Sequence, residues 1–411
     1  MVKRKNLVPV HILWLILLLF LSCQRQPGSS NEAALRARAD SLAQELLIID
    51  THIDAPLHVQ NNQDDITRMT ENHFDYPRAN QGGLNAAFMS IYVAPEFQNN
   101  GAKSEADHLI DIVDSVAASA PAMFAVAVSP ADIRSQFQRG LISLPMGMEN
   151  GAPIEGALKN LRYFYDRGIR YITLTHSKDN HICDSSYDTT ADTWNGLSPF
   201  GRALIPAMNR IGMMIDISHV TDSTFYQVIR LSEAPVIASH SSCRHFLPGF
   251  ERNMSDEMIR LLAENGGVIQ INFGSYFVSN EYRARADERN EVVQNYLLEH
   301  DLARDDERAR EFIDRYDEQH PLEDARIEDA VEHIDHVVRL VGVEHVGLGS
   351  DFDGVGSVPV GLENASQYPN LIYRLLRKGY TVEDIRKICG ENLLRVWASV
   401  NETARQLSEA M

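Results

Sequence analysis

His52 and Asp54, in the run Asp50-Thr51-His52-Ile53-Asp54, stand two residues apart. On an extended chain that spacing turns both side chains to the same side, so the pair can hold one ion. Glu149 follows Met146-Gly147-Met148. Its two oxygens can bridge two cations, or can form a buried salt bridge with an arginine such as Arg170. His219, in Asp216-Ile217-Ser218-His219, and His240, in Ala238-Ser239-His240, add two imidazoles, common donors to zinc. The five ligands divide into His52 and Asp54 on one ion, His219 and His240 on the other, and Glu149 between them. Two ions about 3.5–4 Å apart hold a bridging hydroxide, because the metals draw the pKa of bound water toward neutrality. The chemistry expected is hydrolysis. No side-chain nucleophile is then needed, and the chain has neither a GxSxG elbow nor a phosphate-binding glycine loop.

Asp351, in Gly349-Ser350-Asp351-Phe352-Asp353-Gly354, is a carboxylate suited to take the proton of the attacking water and pass it to the leaving amine. Asp353 reads as a turn or supporting residue. His176, at the end of Tyr171-Ile172-Thr173-Leu174-Thr175-His176, can be a third ligand or a donor to the developing oxyanion; the donor role is preferred because both ions already have ligands. Arg252 can clamp a substrate carboxylate in bidentate fashion, or can pair on the surface with Glu251 or Asp256.

These residues need a frame that brings positions 52 to 351 together. Eight apolar, β-branched-rich runs provide one: 47–50, 86–93, 141–146, 171–174, 213–217, 236–238, 268–271 and 346–348. Helix-period segments lie between many of them, several opened by caps such as Ser198-Pro199 and Thr221-Asp222. Short apolar strands alternating with amphipathic helices predict a parallel sheet covered on its outside, and eight of them predict an α/β fold closed as a (β/α)8 barrel. In such a barrel the carboxyl ends of all strands share one face, which is where almost every polar candidate falls.

The ends of the chain and one segment stand apart from this frame. Lys3, Arg4 and Lys5 precede an apolar run from Ile12 to Leu21 that ends at Ser22-Cys23. This predicts a signal peptide over residues 1–22 with a lipid attached at Cys23, an extracytoplasmic, membrane-anchored location, and a tether over 23–45. A single domain is expected over 46–400, followed by a tail over 401–411. Residues 281–320 hold 13 acidic and 7 basic side chains around a stripe of Val292, Val293, Tyr296 and Leu297. They predict a helical insertion, either a solvated surface pair or a lid over the barrel mouth. The whole chain has 57 acidic against 38 basic residues, which argues against nucleic acid as a partner. Cys183, Cys243 and Cys389 are widely spaced, with no CxxC pair; they are expected as buried or loop thiols or as one disulfide with a thiol left over.

Taken together, the chain resembles the renal or membrane dipeptidase family of metallopeptidases over roughly 48–400. The likeness is carried by Asp50 to Asp54, the Glu149 strand, Tyr171 to His176, Gly196 to Gly201, Asp216 to Val220, Ala238 to Ser242, Arg252-Asn253, Gly349 to Gly354 and Glu391 to Val396. The resemblance implies two Zn2+ on His52, Asp54, Glu149, His219 and His240. It also implies that His176 polarises the scissile carbonyl, that Asp351 handles the proton and that Arg252 holds the C-terminal carboxylate of a dipeptide. Tolerance of a D-residue at that end and a homodimer are expected with it. Asn150 and Ser350 depart from the family pattern, standing where mammalian relatives have Gly. Two rivals are set against this reading: an amidohydrolase-type enzyme acting on small amides or lactams, which would favour HxH on the first strand and a bridging Lys, and a lipid-anchored binding protein.

Overall fold

In the computed structural model, which describes residues 27–190 and 193–410 together with Met1, ten strands form one sheet with every pairing parallel. They are β1 (Ile48–Ile53), β2 (Leu84–Tyr92), β3 (Phe124–Val126), β4 (Ile142–Leu144), β5 (Met146–Glu149), β6 (Ile169–Thr173), β7 (Met214–Asp216), β8 (Ile237–Ser241), β9 (Val268–Ile271) and β10 (Val346–Leu348). Eight of them run in the order β1, β2, β5, β6, β7, β8, β9, β10; β4 pairs with the start of β2 on the side away from β1, where β5 takes over, and β3 pairs with β4. The seam between β1 and β10 is an isolated bridge: Asp351 N–H donates to the His52 carbonyl at 3.1 Å and Asp54 N–H to that of Phe352 at 2.9 Å.

The eight sequence runs are thus the eight strands of this circuit, with one subdivision. The run at 141–146 breaks at Pro145, which lacks the N–H needed to continue a ladder, and the chain steps from β4 to β5 there. The step carries Glu149, rather than Met146, to the strand end. The short strand β3 and the helices Ala55–Asn62, Tyr76–Gly82 and Pro130–Gln138 are additions that the hydrophobic pattern did not reveal.

Strand alternation sorts the interior into two clusters. Ile49, Phe88, Tyr171, Met214, Ile237 and Val268 pack together with Trp397. Their chain neighbours Ile48, Ala87, Ile172, Ile215, Ala238 and Ile269 belong to the larger cluster beneath the helices. Successive strand residues point to opposite faces, so the first set fills the barrel and the second its outer wall.

The described segments on either side of the expected domain are helical, where a tether and a tail were expected. Residues 2–26, which hold the leader apart from Met1 and also Cys23, lie outside the described residues. Most of the expected tether is the helix Pro27–Glu45, packed on the helix Tyr368–Lys378 with Ala39, Leu42 and Ala43 buried in the core. Leu35, Ala39, Leu42 and Leu46 fall on one helical face, which is why it docks. The expected tail is also helical: Asn392–Glu409 continues through it, supported by ion pairs of Arg405 with Glu402 and Glu409.

The insertion forms the helices Asn280–His300 and Glu307–Gln319. They share a small core of Val293, Leu297 and Ala309, with the Tyr296 and Phe312 rings stacked at 3.7 Å. Among the described residues no helix is long and apolar enough to cross a membrane. Cys183, Cys243 and Cys389 are buried free thiols.

Candidate active site

All the candidate residues converge at the carboxyl ends of the strands, around Glu149. Its Oε1 lies 3.1 Å from His219 Nε2 and 3.3 Å from His240 Nε2, and its Oε2 lies 3.3 Å from His52 Nε2. Asp54 Oδ2 is 3.4 Å from the same His52 nitrogen. Asp351 joins His52 and Asp54 with ligand-capable atoms all within 4.8 Å of one another. His176 is the most exposed member, with Nε2 3.7 Å from Glu149 Oε1 and its ring edge against Tyr92.

The alternatives left open for two residues are resolved here. Arg170 is not the partner of Glu149: its guanidinium donates to the carbonyls of Val128, Tyr165 and Ile169. Arg252 is not a surface ion pair. It is buried, donating to Ser241 Oγ at 2.8 Å and to the His240 carbonyl at 2.7 Å, with Nη2 3.1 Å from His219 Nε2. A fixed cation therefore stands directly beside the histidine pair.

Hydrogen bonds behind the rings set which nitrogen faces the centre. The Tyr171 hydroxyl donates to the Thr51 carbonyl at 3.0 Å and lies 2.9 Å from His52 Nδ1. With the phenol proton so placed, Nδ1–H of His52 donates to the phenol oxygen and the Nε2 lone pair points at the carboxylates. The Ser239 hydroxyl likewise donates to Asp216 Oδ2 at 2.6 Å and accepts from His240 Nδ1 at 2.7 Å. That leaves His240 Nε2 free to ligate. Buried backbone adds to the frame: Asp50 accepts from the amides of His52 and Ser350 and from the Tyr368 hydroxyl, tying β1 to the end of β10.

Local geometry is costly here. His219, Asp351 and Asn150 hold φ of 71°, 64° and 73°, a left-handed region costing about 1–3 kcal/mol per residue, least for Asn and Asp. Asn150 tolerates the turn that a Gly makes easily, and its Nδ2 donates to the Val93 carbonyl at 2.8 Å. Two glycines give room. A Cβ on Gly147 would lie 1.9 Å from the Tyr171 ring, and one on Gly354 would lie 2.2 Å from Asp54 Oδ2.

Electrostatics divide the centre: burial disfavours a charge on His52, but Tyr171, Glu149 and Asp54 outweigh it and hold that imidazole well above its usual value. Burial pushes the Asp351 carboxyl up to about 7, with the neighbouring Asp54 and Glu149 charges adding to the rise. Burial holds His219 and His240 well below the usual imidazole value, helped by Arg252 on both. They are therefore neutral, the form that ligates.

The donor set fits a pair of cations. His52 Nε2 is buried with no hydrogen-bond partner, although two carboxylates face it. His219 Nε2 and His240 Nε2 stand 2.8 Å apart, both against one carboxylate oxygen. Buried carboxylates crowded on one imidazole nitrogen call for positive charge between them, a proton on His52 or a cation in its place.

Sequence reasoning missed Tyr171, Ser239 and Asn272. Asn272 directly follows β9 and donates to Asp351 Oδ2 at 2.7 Å. Its place after a strand is the same signal that marked the other candidates. Tyr171 was hidden within an apolar run, and only the facing Gly147 hints at it.

A parallel α/β barrel with His, Asp and Glu side chains gathered at its strand ends defines the class of barrel metallohydrolases. The chain belongs to the membrane dipeptidase family, peptidase family M19, whose model matches residues 36–411. It is thus a metallopeptidase of the dipeptidase type. An uncharacterized dipeptidase of Schizosaccharomyces pombe is 31% identical over 426 residues, covering 99% of this chain and 93% of the relative. The crystal structure of the probable dipeptidase PvdM from Pseudomonas aeruginosa matches with a TM-score of 0.80 and 26% identity, covering 90% of this chain and 100% of that one. A metallopeptidase from Rhodobacter sphaeroides, liganded with a phosphinate mimic of the dipeptide L-Ala-D-Ala, matches with a TM-score of 0.71 and 25% identity over 86% and 99% of the two chains.

Proposed function

We propose that the chain hydrolyses free dipeptides with two zinc ions, one held by His52 and Asp54, the other by His219 and His240, with Glu149 shared. When bound, the metal pair supplies an activated water and withdraws charge from the scissile carbonyl. The observation that carries the reading is Arg252, a buried guanidinium 3.1 Å from His219 Nε2. A peptide whose C-terminal carboxylate sits on Arg252 has its last peptide bond over Glu149, which favours a substrate with one bond to present. Asp351, oriented by Asn272, takes the water proton and returns it to the leaving amine. Once cations lie beside it, their charge opposes the burial that raises its pKa, and the carboxylate ionises. His176, on the cavity side of Glu149, donates to the carbonyl oxygen as charge develops there.

Tolerance of a D-residue at the C-terminal position is part of the same proposal. The L-Ala-D-Ala mimic held by the Rhodobacter sphaeroides relative supports it. A panel of L,L and L,D dipeptides with the matching tripeptides tests this reading. Turnover of both dipeptide series with little of the tripeptides is expected; turnover of no dipeptide would overturn it. Lipid attachment at Cys23 and an extracytoplasmic location are proposed on the pattern of Lys3 to Cys23 alone. Replacing Cys23 with Ala is expected to release the protein from the membrane fraction, and retention there would contradict the anchor.

A further inference from the structure

Beside Arg252 the cavity changes character. It has a volume of about 1070 Å³, at the top of the usual range for small-ligand pockets and generous for a dipeptide backbone. Tyr187, Tyr276 and Phe277 line it, and the buried Phe250 lies beneath them. Their rings pack edge to face or tilted: Phe250 is 5.5 Å from Tyr276, 5.9 Å from Phe277 and 6.4 Å from Tyr187. Arg252 holds one side of this aromatic box, its Cζ 5.3 Å from the Phe277 ring centre. The charged insertion closes another side. Arg283, on the helix Asn280–His300, sets its Cζ 4.4 Å from the Phe250 ring centre and 5.8 Å from that of Tyr276. The Tyr276 hydroxyl donates to Asp287 of the same helix; Tyr282 and Ala286 line the cavity next to the rings, and Arg289, Asn290 and Asp317 line it from the same insertion.

Resting on the dipeptidase reading above, we infer that this box is the subsite for the side chain of the substrate's C-terminal residue and that it takes an aromatic or large apolar group. A carboxylate on Arg252 leaves the neighbouring side chain against Phe277, where aromatic faces and edges are available on several sides. Arg283 and Tyr276 are specificity-determining residues, and the insertion has a role as the outer wall of the substrate site.

The test compares kcat/KM for L-Ala-L-Phe and L-Ala-Gly in the zinc-loaded wild type, Tyr276→Ala and Arg283→Ala. The wild type is expected to favour L-Ala-L-Phe by about tenfold or more, and the ratio to fall several-fold in each variant through the KM of L-Ala-L-Phe. A wild-type ratio near one overturns the inference, as does a ratio unchanged in both variants while both substrates slow together. Faster turnover of L-Ala-L-Glu than of L-Ala-L-Phe also overturns it, since the guanidinium of Arg283 would then be reading charge. If neither dipeptide is turned over, it is the dipeptidase reading that fails. Calorimetric binding then tests the box by itself: tighter binding of L-Ala-L-Phe than of L-Ala-Gly upholds it, and equal binding refutes it.

Discussion

The strand-end rim and the helical insertion are both rich in charge, yet the charges do different work. At the rim, Asp54, Glu149 and Asp351 are buried and face imidazoles with few other partners. In the insertion most charges are exposed to solvent, Arg304, Arg308 and Glu311 among them, and Arg289 paired with Asp317 is an exception that lines the cavity. Desolvation makes the rim carboxylates costly to keep, so they persist where a cation or a reaction needs them. Solvated pairs cost little and contribute little, so their number says nothing about function. What the insertion presents to the cavity is a few side chains, such as Tyr282, Ala286 and Arg289, with Arg283 over Phe250 beside them.

Substitutions can break or sharpen this contrast. The largest effect is expected from Glu149→Ala, which removes the group between both halves of the centre: bound metal is lost and kcat falls by at least about 10⁴-fold, read by elemental analysis and steady-state kinetics. Asp351→Asn is expected to lower kcat by about 10²–10⁴-fold while metal content stays at the wild-type level. Arg252→Ala is expected to raise the dipeptide KM by about 10–100-fold, with far less change in metal content; equal loss of metal would show that its main task is to hold His219. Tyr171→Phe leaves His52 Nδ1 without its acceptor, and a competition titration with a chelator should show metal affinity weakened about tenfold. Smallest of all, Arg308→Ala, at an exposed position of the insertion, should shift stability by no more than about 1 kcal/mol in a denaturant titration.

The same contrast explains what could be read in the sequence. Strands buried on both faces spell continuous apolar runs, so a polar residue at their ends is conspicuous; His52, Glu149, His219, His240 and Asp351 were legible for that reason. Pairings between distant strands were not. Tyr171 behind His52, Asn272 on Asp351 and Asp50 across the seam depend on which strands become neighbours, and local periodicity carries no such information. The docked helix Pro27–Glu45 was obscured by the polar residues at its start, although Leu35, Ala39, Leu42 and Leu46 already mark its buried face. The inward side of the insertion was hidden because its cavity-facing residues are themselves polar or aromatic, like those that face water.

The central claim is that two cations share Glu149 and that catalysis needs both. Metal-stripped protein titrated with zinc, with dipeptide turnover followed at each addition, tests it most directly. Activity that reaches its plateau at two equivalents per chain is the predicted result. Full activity at one equivalent, or turnover that survives stripping, would contradict it.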